Sequence, residues 1–456
     1  MEAEAIPLRE LLLHFHEAGV RVKMDPALAA ERISGSVTNE PLEKALEKLV
    51  IGLDFAVFWT RISGPAGAVD RAIEIQLFPR GKPERAQPLF WNSNLDVAEA
   101  GAVRFVRGEV LMGFRSGTTQ EQVSRLLGRI GGEVVGGIPG LGAYLIRVPP
   151  NTNIFELLEQ LRREEQISFV EPNYVYALPI VGRNSAGGPP ASDHEAGTGG
   201  GSALLAIFDS GVREQTGLKS WIAGSYNSLH SEETAEDTLG HGTQMAWIAA
   251  GLISPEGGRT PEIISRNVLS IKGFDDNGVT SSWAVLEAIR IATEHNAKVI
   301  NISWGSETAS VFLQEAFRRA SERGLLIVAA AGNEPTGRAM YPAAWPGVLA
   351  IGATDPNGSP SAYSNHGSFV DMSAPALATL PVGYAGPPGS YAGTSIASAF
   401  TAGVIAQYLG ENPGVSSQAA LLRMRSVLTP FNNSSGSSLN GGGILDAAAV
   451  RRFLAK

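Results

Sequence analysis

The sequence has 456 residues, of which 44% are hydrophobic and 18% are charged, so it is long enough for about two to four domains. Its formal net charge is −9 and it has no lysine- and arginine-rich run, which argues against nucleic acid as a partner. It contains no cysteine. Disulfides, thiolate metal sites and a cysteine nucleophile are therefore excluded, and covalent catalysis would need serine, threonine, lysine or a carboxylate.

The first region, residues 1–90, is predicted to be a small α+β module. Apolar residues recur at helical spacing in two segments and alternate at strand spacing in two others. The helical segments contain Leu8, Leu11, Leu12 and Phe15, then Leu42, Ala45, Leu46 and Leu49; the strands contain Phe55, Val57 and Trp59, then Ile73, Ile75 and Leu77. The pattern by itself assigns no chemistry to this region.

The second region, residues 103–178, has the predicted element order βαββαβ. Its strands are expected at Glu109 to Phe114, near Val134, near Leu145 and through Ile167 and Val170. The apolar spacing between them predicts two amphipathic helices. This order is typical of ferredoxin-like α+β folds.

Residues 179–202 are rich in glycine, proline, serine and alanine and predict a flexible linker that is open to cleavage. The third region, residues 203–456, alternates short apolar runs with helical stretches. The runs are ALLAIFD, NVLSI, KVINIS, LLIVAAAG and VLAIGA. Buried parallel strands with crossover helices produce this pattern, so we expect an α/β fold with a doubly wound, mostly parallel sheet.

Four polar residues follow these runs or open small-residue helices: Asp209, His241, Asn333 and Ser395. Ligands of an open α/β sheet gather at the carboxyl ends of its strands, so these are the candidate catalytic residues. A hydroxyl becomes a nucleophile when a base accepts its proton, and the base works best beside an orienting carboxylate. A side-chain amide can stabilise the negative oxygen that develops.

The order Asp, His, Asn, Ser resembles that of the subtilisin family. The segments AIFDSGV, GHGTQMAWIAAG, VINISWGS, VAAAGNE, YPAAWPGVLAIGATD, SAYSNHGSFVDMSAPA and YAGTSIASAFTAGVIA match successive blocks of that family. The resemblance implies a serine endopeptidase that acts on protein or peptide substrates. It implies that Asp209 orients His241, that His241 is the base for Ser395, and that Asn333 with the Ser395 N–H forms the oxyanion hole.

The resemblance also places the pocket for the side chain before the cut bond. Ser303, Trp304 and Gly305 would form one wall, and Ala331 and Gly332 the other. Met340 stands where the family often has glycine at the floor. We expect Trp304 and Met340 to narrow the pocket, so that small residues such as alanine are preferred.

The chain departs from the family pattern at four positions near the site. Gln244 replaces a usual histidine, Ile396 a common methionine, and Ala399 with Phe400 a usual Pro-His pair. None is a triad member, although the missing proline alters the start of the nucleophile's helix.

No cofactor is required for the chemistry. A structural calcium ion is implied by the family alone, since DDNG at Asp275 to Gly278 lacks calcium-ligand spacing and predicts a turn.

The second region ends in VEPNY ahead of the catalytic region and so resembles the inhibitory propeptide of subtilisins. The resemblance implies a self-processing zymogen in which the propeptide is an intramolecular inhibitor and chaperone. We expect the cut after Ala177 or in the linker up to Gly201. The first region, with ISGSVTNEPLEKALEKL, resembles the short N-terminal domain of secretins and TonB-dependent receptors, which implies an envelope partner.

These resemblances predict an extracellular or periplasmic protein. The start MEAEAIPLRE lacks a signal-peptide layout, so we expect the signal to be absent from this sequence. No apolar run approaches the roughly 20 residues that span a bilayer, so no membrane span is expected. Two other functions stay open: a catalytically silent or propeptide-locked scaffold of an envelope complex, and a peptide ligase or transpeptidase.

Overall fold

The computed structural model describes most of the chain, including all seven strands of its main sheet. The described residues are 2–8, 11–12, 15, 20–25, 28, 31–36, 40–64, 67–83, 86–88, 95–101, 103–179, 182–184, 201–213, 217–258, 267–384, 388–431 and 440–455. Most of the predicted linker, residues 179–202, lies outside this set.

The first region contains two small sheets. The strands are β1 (Glu2–Pro7), β2 (Arg21–Met24), β3 (Arg32–Ser36), β4 (Leu53–Gly64), β5 (Gly67–Pro79) and β6 (Gln87–Pro88), and helix α1 is Leu42–Leu49. β1 pairs with β3, and the other sheet has the order β4-β5-β2-β6. The predicted strand pair is the β4–β5 hairpin, in which Phe55 pairs with Leu77. Leu8, Leu11 and Leu12 are helical and fully buried.

The second region has the predicted βαββαβ order. Its elements are β8 (Val103–Phe114), α2 (Gln120–Ile130), β9 (Glu133–Ile138), β10 (Ala143–Arg147), α3 (Ile154–Leu161) and β11 (Ile167–Ala177), and a further strand, β7 (Val97–Ala100), precedes them and pairs with β8. The strands pair antiparallel in the order β11-β8-β10-β9. Helix α2 begins where Thr119 and Gln122 cap each other reciprocally. This is the ferredoxin-like arrangement that the sequence predicted.

The third region is built on a seven-stranded, wholly parallel sheet of order β14-β15-β13-β17-β18-β19-β20. Its strands are β13 (Leu205–Asp209), β14 (Ile222–Asn227), β15 (Val268–Lys272), β17 (Val299–Ile302), β18 (Leu326–Ala330), β19 (Val348–Thr354) and β20 (Met372–Pro375). All of these except β14 are buried along their whole length. Burial on both faces explains the continuous apolar runs and confirms the predicted fold class.

Among the described residues, six helices accompany the main sheet, and four short strands belong to other sheets. The helices are α4 (His241–Ala249), α5 (Ser282–Glu294), α6 (Val311–Glu322), α7 (Thr394–Glu411), α8 (Ser417–Val427) and α9 (Ala447–Leu454). The short strands are β12 (Gly182–Asn184), β16 (Val279–Ser281), β21 (Leu377–Leu380) and β22 (Gly389–Ala392). Strand β16 pairs with β11, so the third region extends the sheet of the second.

Candidate active site

Asp209 and His241 form the buried centre of the site. Asp209 ends β13, and His241 is the first residue of α4. Both residues are fully buried, and Oδ1 of Asp209 lies 2.7 Å from Nδ1 of His241. A carboxylate only accepts hydrogen bonds, so this contact holds the proton on Nδ1 and leaves Nε2 free to act as a base.

Ser395 lies at the start of α7 and does not bond to the imidazole in this state. Its Oγ donates to the main-chain oxygen of Ser303 over 3.0 Å. Nε2 of His241 has no hydrogen-bond partner among the described residues. Catalytic hydrogen bonds are often incomplete before substrate is bound productively.

Asn333 is held so that its amide nitrogen is available. Its Oδ1 accepts from the N–H and the hydroxyl of Thr394, at 2.8 and 2.9 Å. Its Nδ2 is buried and has no partner in the described part of the chain. Ser395 is the second residue of α7, where N–H groups have no partner within the helix. An unpartnered amide donor and the N-terminal, electropositive end of a helix are thus both present at the site.

The predicted pocket residues do not all lie together. A cavity of about 670 Å³ is lined by Ser303, Trp304, Gly305, Gly332 and Met340, among others. A Cβ built on Gly305 would lie 3.5 Å from Met340, and one built on Gly332 would lie 3.3 Å from it. Met340 therefore lies close to both Gly305 and Gly332, and its effect on the pocket stays a prediction.

Trp304 and Ala331 are both buried beside this cavity. The Trp304 ring is 2% exposed and packs against Tyr176, Phe208 and Phe274, at centroid distances of 5.1, 6.2 and 5.8 Å. The ring packs inside this aromatic cluster because large apolar rings are stabilised by burial. Trp304 nevertheless lines the cavity together with Met340, so a part of Trp304 in narrowing the pocket stays a prediction. Ala331 is fully buried and is not among the residues that line the cavity.

The end of the second region runs through the cleft. Val175, Tyr176 and Ala177 pair antiparallel with β16, and the Leu178 N–H donates to the Gly278 oxygen over 2.8 Å. Farther along the chain, residues 182–184 pair antiparallel with β22, which directly precedes the nucleophile's helix. The tail therefore adds a strand to the third region on each side of the site, through main-chain hydrogen bonds.

Sequence reasoning missed Asp237, a second buried carboxylate beside Asp209 and His241. It is 1% exposed. Its oxygens accept from the Ser210 hydroxyl, from the N–H groups of Leu239 and Gly240, and from both the N–H and the hydroxyl of Thr243. It thus joins the residue after Asp209 to the turn before His241. An aspartate four residues before His241 was the available signal.

The four residues that depart from the family pattern are buried, and the helices that contain them are regular. Gln244 is fully buried and donates from Nε2 to the Val382 oxygen over 2.7 Å. Ile396, Ala399 and Phe400 are buried within an uninterrupted α7. These residues pack the helix that carries Ser395, and the helix begins without a proline.

No ligand set for a structural metal ion is identified among the described residues. They contain no group of three or more His, Asp or Glu side chains that could hold a metal ion. In the DDNG segment, Oδ1 of Asp275 accepts from the N–H groups of Asn277 and Val279, so this carboxylate closes a turn, as the sequence indicated. Burial raises the pKa of Asp275 to about 6.

Within the described part of the chain, no helix has the length and apolar character needed to cross a membrane.

A doubly wound parallel sheet that brings a buried Asp–His pair, a serine at a helix start and a side-chain amide to one edge has the architecture of a serine peptidase. The subtilase family model matches residues 200–439, more than half of the chain. The chain therefore belongs to the subtilase family and is a subtilisin-like serine endopeptidase. The fervidolysin N-terminal prodomain model matches residues 92–173, so the second region is a propeptide.

Individual relatives agree with this assignment. The chain is 32% identical over 256 residues to the thermostable alkaline protease of Halalkalibacterium halodurans, covering 56% of this chain and 69% of that one. It is 34% identical over 221 residues to thermitase of Thermoactinomyces vulgaris, covering 47% and 77%.

Among solved structures, fervidolysin of Fervidobacterium pennivorans, a keratinolytic enzyme related to subtilisin, matches with a TM-score of 0.63 and 21% identity. The match covers 79% of this chain and 62% of fervidolysin. At this identity the likeness concerns the fold.

Proposed function

We propose that Asp209, His241 and Ser395 are the catalytic triad of this endopeptidase and that Asn333 supplies the oxyanion donor. The observation that carries the proposal is the buried 2.7 Å contact between Asp209 and His241, with Nε2 of His241 left without a partner among the described residues. The unpartnered Nδ2 of Asn333 supports the oxyanion role. Such a donor contributes about a hundredfold to a thousandfold to the rate.

The reaction then runs in two halves. Ser395 Oγ attacks the peptide carbonyl carbon and its proton passes to Nε2 of His241, while Asp209 stabilises the imidazolium. Asn333 Nδ2 and the Ser395 N–H stabilise the negative oxygen. The intermediate collapses to an acyl-enzyme, and Nε2 gives its proton to the leaving amine. Water then attacks the ester by the same steps in reverse, which releases the acid and restores Ser395.

We propose that self-processing cuts the chain between Pro179 and Gly182. The support is the pairing on both sides: the chain up to Leu178 is bonded to β16 and its Gly278 turn, and Gly182 is bonded to β22. This narrows the sequence expectation, because Ala177 lies inside the paired strand and the distal linker lies beyond the second pairing. The new N-terminus would be Ile180, Val181 or Gly182.

The preference for small residues before the cut bond is proposed to rest mainly on Met340. Its contacts with Gly305 and Gly332 support a shortened pocket. Trp304 also lines the cavity, although its ring is buried in the aromatic cluster.

Location and partners beyond the propeptide are proposed from resemblance. Most bacterial subtilisin-like proteases act outside the cytoplasm, which supports an extracellular or periplasmic location. The secretin-like pattern of residues 1–90 supports an envelope partner for that region. Labelling of intact cells compared with lysed cells would test the location.

The test compares the wild-type chain with Ser395→Ala and with Ser426→Ala, an exposed serine of α8, in a casein digest. We expect the wild type and Ser426→Ala to digest casein and to yield fragments that begin at residue 180, 181 or 182 in mass spectrometry. Ser395→Ala should remain intact at 48.0 kDa. Identical behaviour of wild type and Ser395→Ala would refute the proposal, and ligated peptides among the products would favour the transpeptidase.

A further inference from the structure

Tyr384 contacts both the base and the propeptide tail, and no role has been assigned to it above. It lies between β21 and β22 and is 6% exposed. Its ring packs against the His241 imidazole with a centroid distance of 4.8 Å and an interplanar angle of 60°. Its hydroxyl donates to the main-chain oxygen of Pro179 over 3.0 Å.

The segment before Tyr384 is fixed onto the helix that carries His241. Gln244, one turn into that helix, donates to the Val382 oxygen over 2.7 Å. The Gly383 oxygen lies so close to Gly240 that a Cβ built on Gly240 would be 2.0 Å from it. The side chain and the segment are therefore held by the same helix start that holds the base.

Tyr384 has further contacts on its other sides. Its N–H donates to the Tyr391 hydroxyl over 3.2 Å. The Lys23 ammonium of the first region lies 5.5 Å from the centroid of its ring, within the range of a cation–π contact. Lys23 of the first region, Pro179 at the start of the linker and His241 of the third region thus all contact this side chain, which indicates a fixed position rather than an incidental surface aromatic.

We propose that Tyr384 is a positioning residue with two separable roles: its hydroxyl binds a main-chain carbonyl of an extended peptide in the cleft, and its ring fixes the plane of the His241 imidazole. The inference rests on the proposed function and deepens it. The propeptide tail stands in for substrate, because both are extended chains bound through main-chain groups. The ring acts through His241, whose Nδ1 is already held by Asp209.

The two roles predict different kinetic effects. Tyr384→Phe keeps the ring and removes the hydroxyl, so it loses one neutral hydrogen bond, worth about 1 kcal/mol. We expect KM for an extended peptide that spans the cleft to rise about fivefold, with kcat within about twofold of wild type. Tyr384→Ala also removes the ring, and a poorly oriented base should lower kcat by at least about tenfold.

Each variant is produced as the full-length chain and allowed to process itself. Its kinetics are then measured with one extended peptide substrate. Tyr226→Phe and Tyr226→Ala are matched controls, because Tyr226 is an exposed tyrosine whose hydroxyl contacts His295; both should retain wild-type kcat and KM. If Tyr384→Ala fails to fold, Tyr384→Leu replaces it, and its kcat is expected to lie below that of Tyr384→Phe.

Each outcome decides the inference. A wild-type KM in Tyr384→Phe overturns the hydroxyl role. A kcat in Tyr384→Ala, or in its Leu replacement, equal to that of Tyr384→Phe overturns the ring role. If the wild type itself fails to cleave the peptide, the proposed function fails instead, so the two failures are distinguishable.

Discussion

Glu171 in β11 and Ser310 before α6 are joined across the interface between the propeptide and the catalytic region. The Ser310 hydroxyl donates to Oε1 of Glu171, and the Val311 N–H donates to Oε2 over 3.0 Å. The first N–H groups of a helix have no partner within it and carry partial positive charge. A propeptide carboxylate, 6% exposed, therefore completes the N-terminus of a catalytic-region helix.

This contact predicts that the propeptide docks more weakly as pH rises. Burial is the largest influence and raises the pKa of Glu171 to about 7, against the hydrogen bonds from Ser310, Val311 and Phe312 and the charge of Arg162. In the free propeptide the pKa returns to about 4.5. The docked state binds the Glu171 proton more tightly than the free state does. The resulting gain in docking affinity is therefore fully present below about pH 4.5 and is lost progressively up to about pH 7.

We expect affinity to fall at least about tenfold between pH 5 and pH 7.5. Glu171→Gln keeps a side-chain acceptor but does not titrate, so it should remove this dependence, whereas the exposed Glu133→Gln should keep it. Tyr174 and Tyr176 lie on the same strand, and burial raises the pKa of each above 10, outside this range. Gel filtration of the self-processed chain gives the fraction of propeptide retained; an unchanged pH dependence in Glu171→Gln would contradict the prediction.

Gly240 is expected to be intolerant of a side chain. It has φ +100°, and an added Cβ would lie 2.0 Å from the Gly383 oxygen. Gly324 has a similar φ of +93°, but nothing lies within 4 Å of its Cβ position. Gly324→Ala should cost about 1–2 kcal/mol for the left-handed conformation. Gly240→Ala should lower the apparent Tm much further, since it adds a main-chain collision; equal shifts of Tm in the two variants would show that the contact is unimportant.

Asp237 is expected to support both stability and catalysis. An amide at this position has one acceptor oxygen and turns an NH₂ group toward the remaining donors, so Asp237→Asn should reduce stability by about 3 kcal/mol. Because its donors include Ser210 and Gly240, the neighbours of Asp209 and His241, kcat should also fall by at least about tenfold. Urea unfolding and steady-state kinetics measure both effects.

The control for Asp237 is Asp276→Asn. The Asp276 side chain is 70% exposed, although its ion-pair partner Lys272 is only 8% exposed. Asparagine keeps an oxygen that can accept from the Thr238 hydroxyl, so the expected change in stability is below about 1 kcal/mol. A kcat of Asp237→Asn close to that of Asp276→Asn would limit Asp237 to a structural role.

The sequence was sufficient to predict the positions of those site residues that lie at the ends of strands and helices. Asp209 and Ser395 follow patterns that local residues determine: a fully buried strand and a small-residue helix. Tyr384 was not predictable, because its segment is short, rich in glycine and proline, and has no periodic pattern. The direction of the Trp304 ring also depends on long-range packing with Phe208 and Tyr176, which strand order alone does not give.

Met340 is the residue whose replacement should widen the pocket. It contacts Gly305 and Gly332 on opposite walls, so Met340→Gly removes the side chain that separates them. We expect the ratio of kcat/KM for phenylalanine over alanine before the cut bond to rise about tenfold, because one or two buried methylene groups are worth about 1–3 kcal/mol in such pockets. Met424→Ala, a fully buried methionine of α8, is the control for general loosening and should leave the ratio unchanged. A peptide series varied at that position measures it, and an unchanged ratio in Met340→Gly would place the determinant elsewhere.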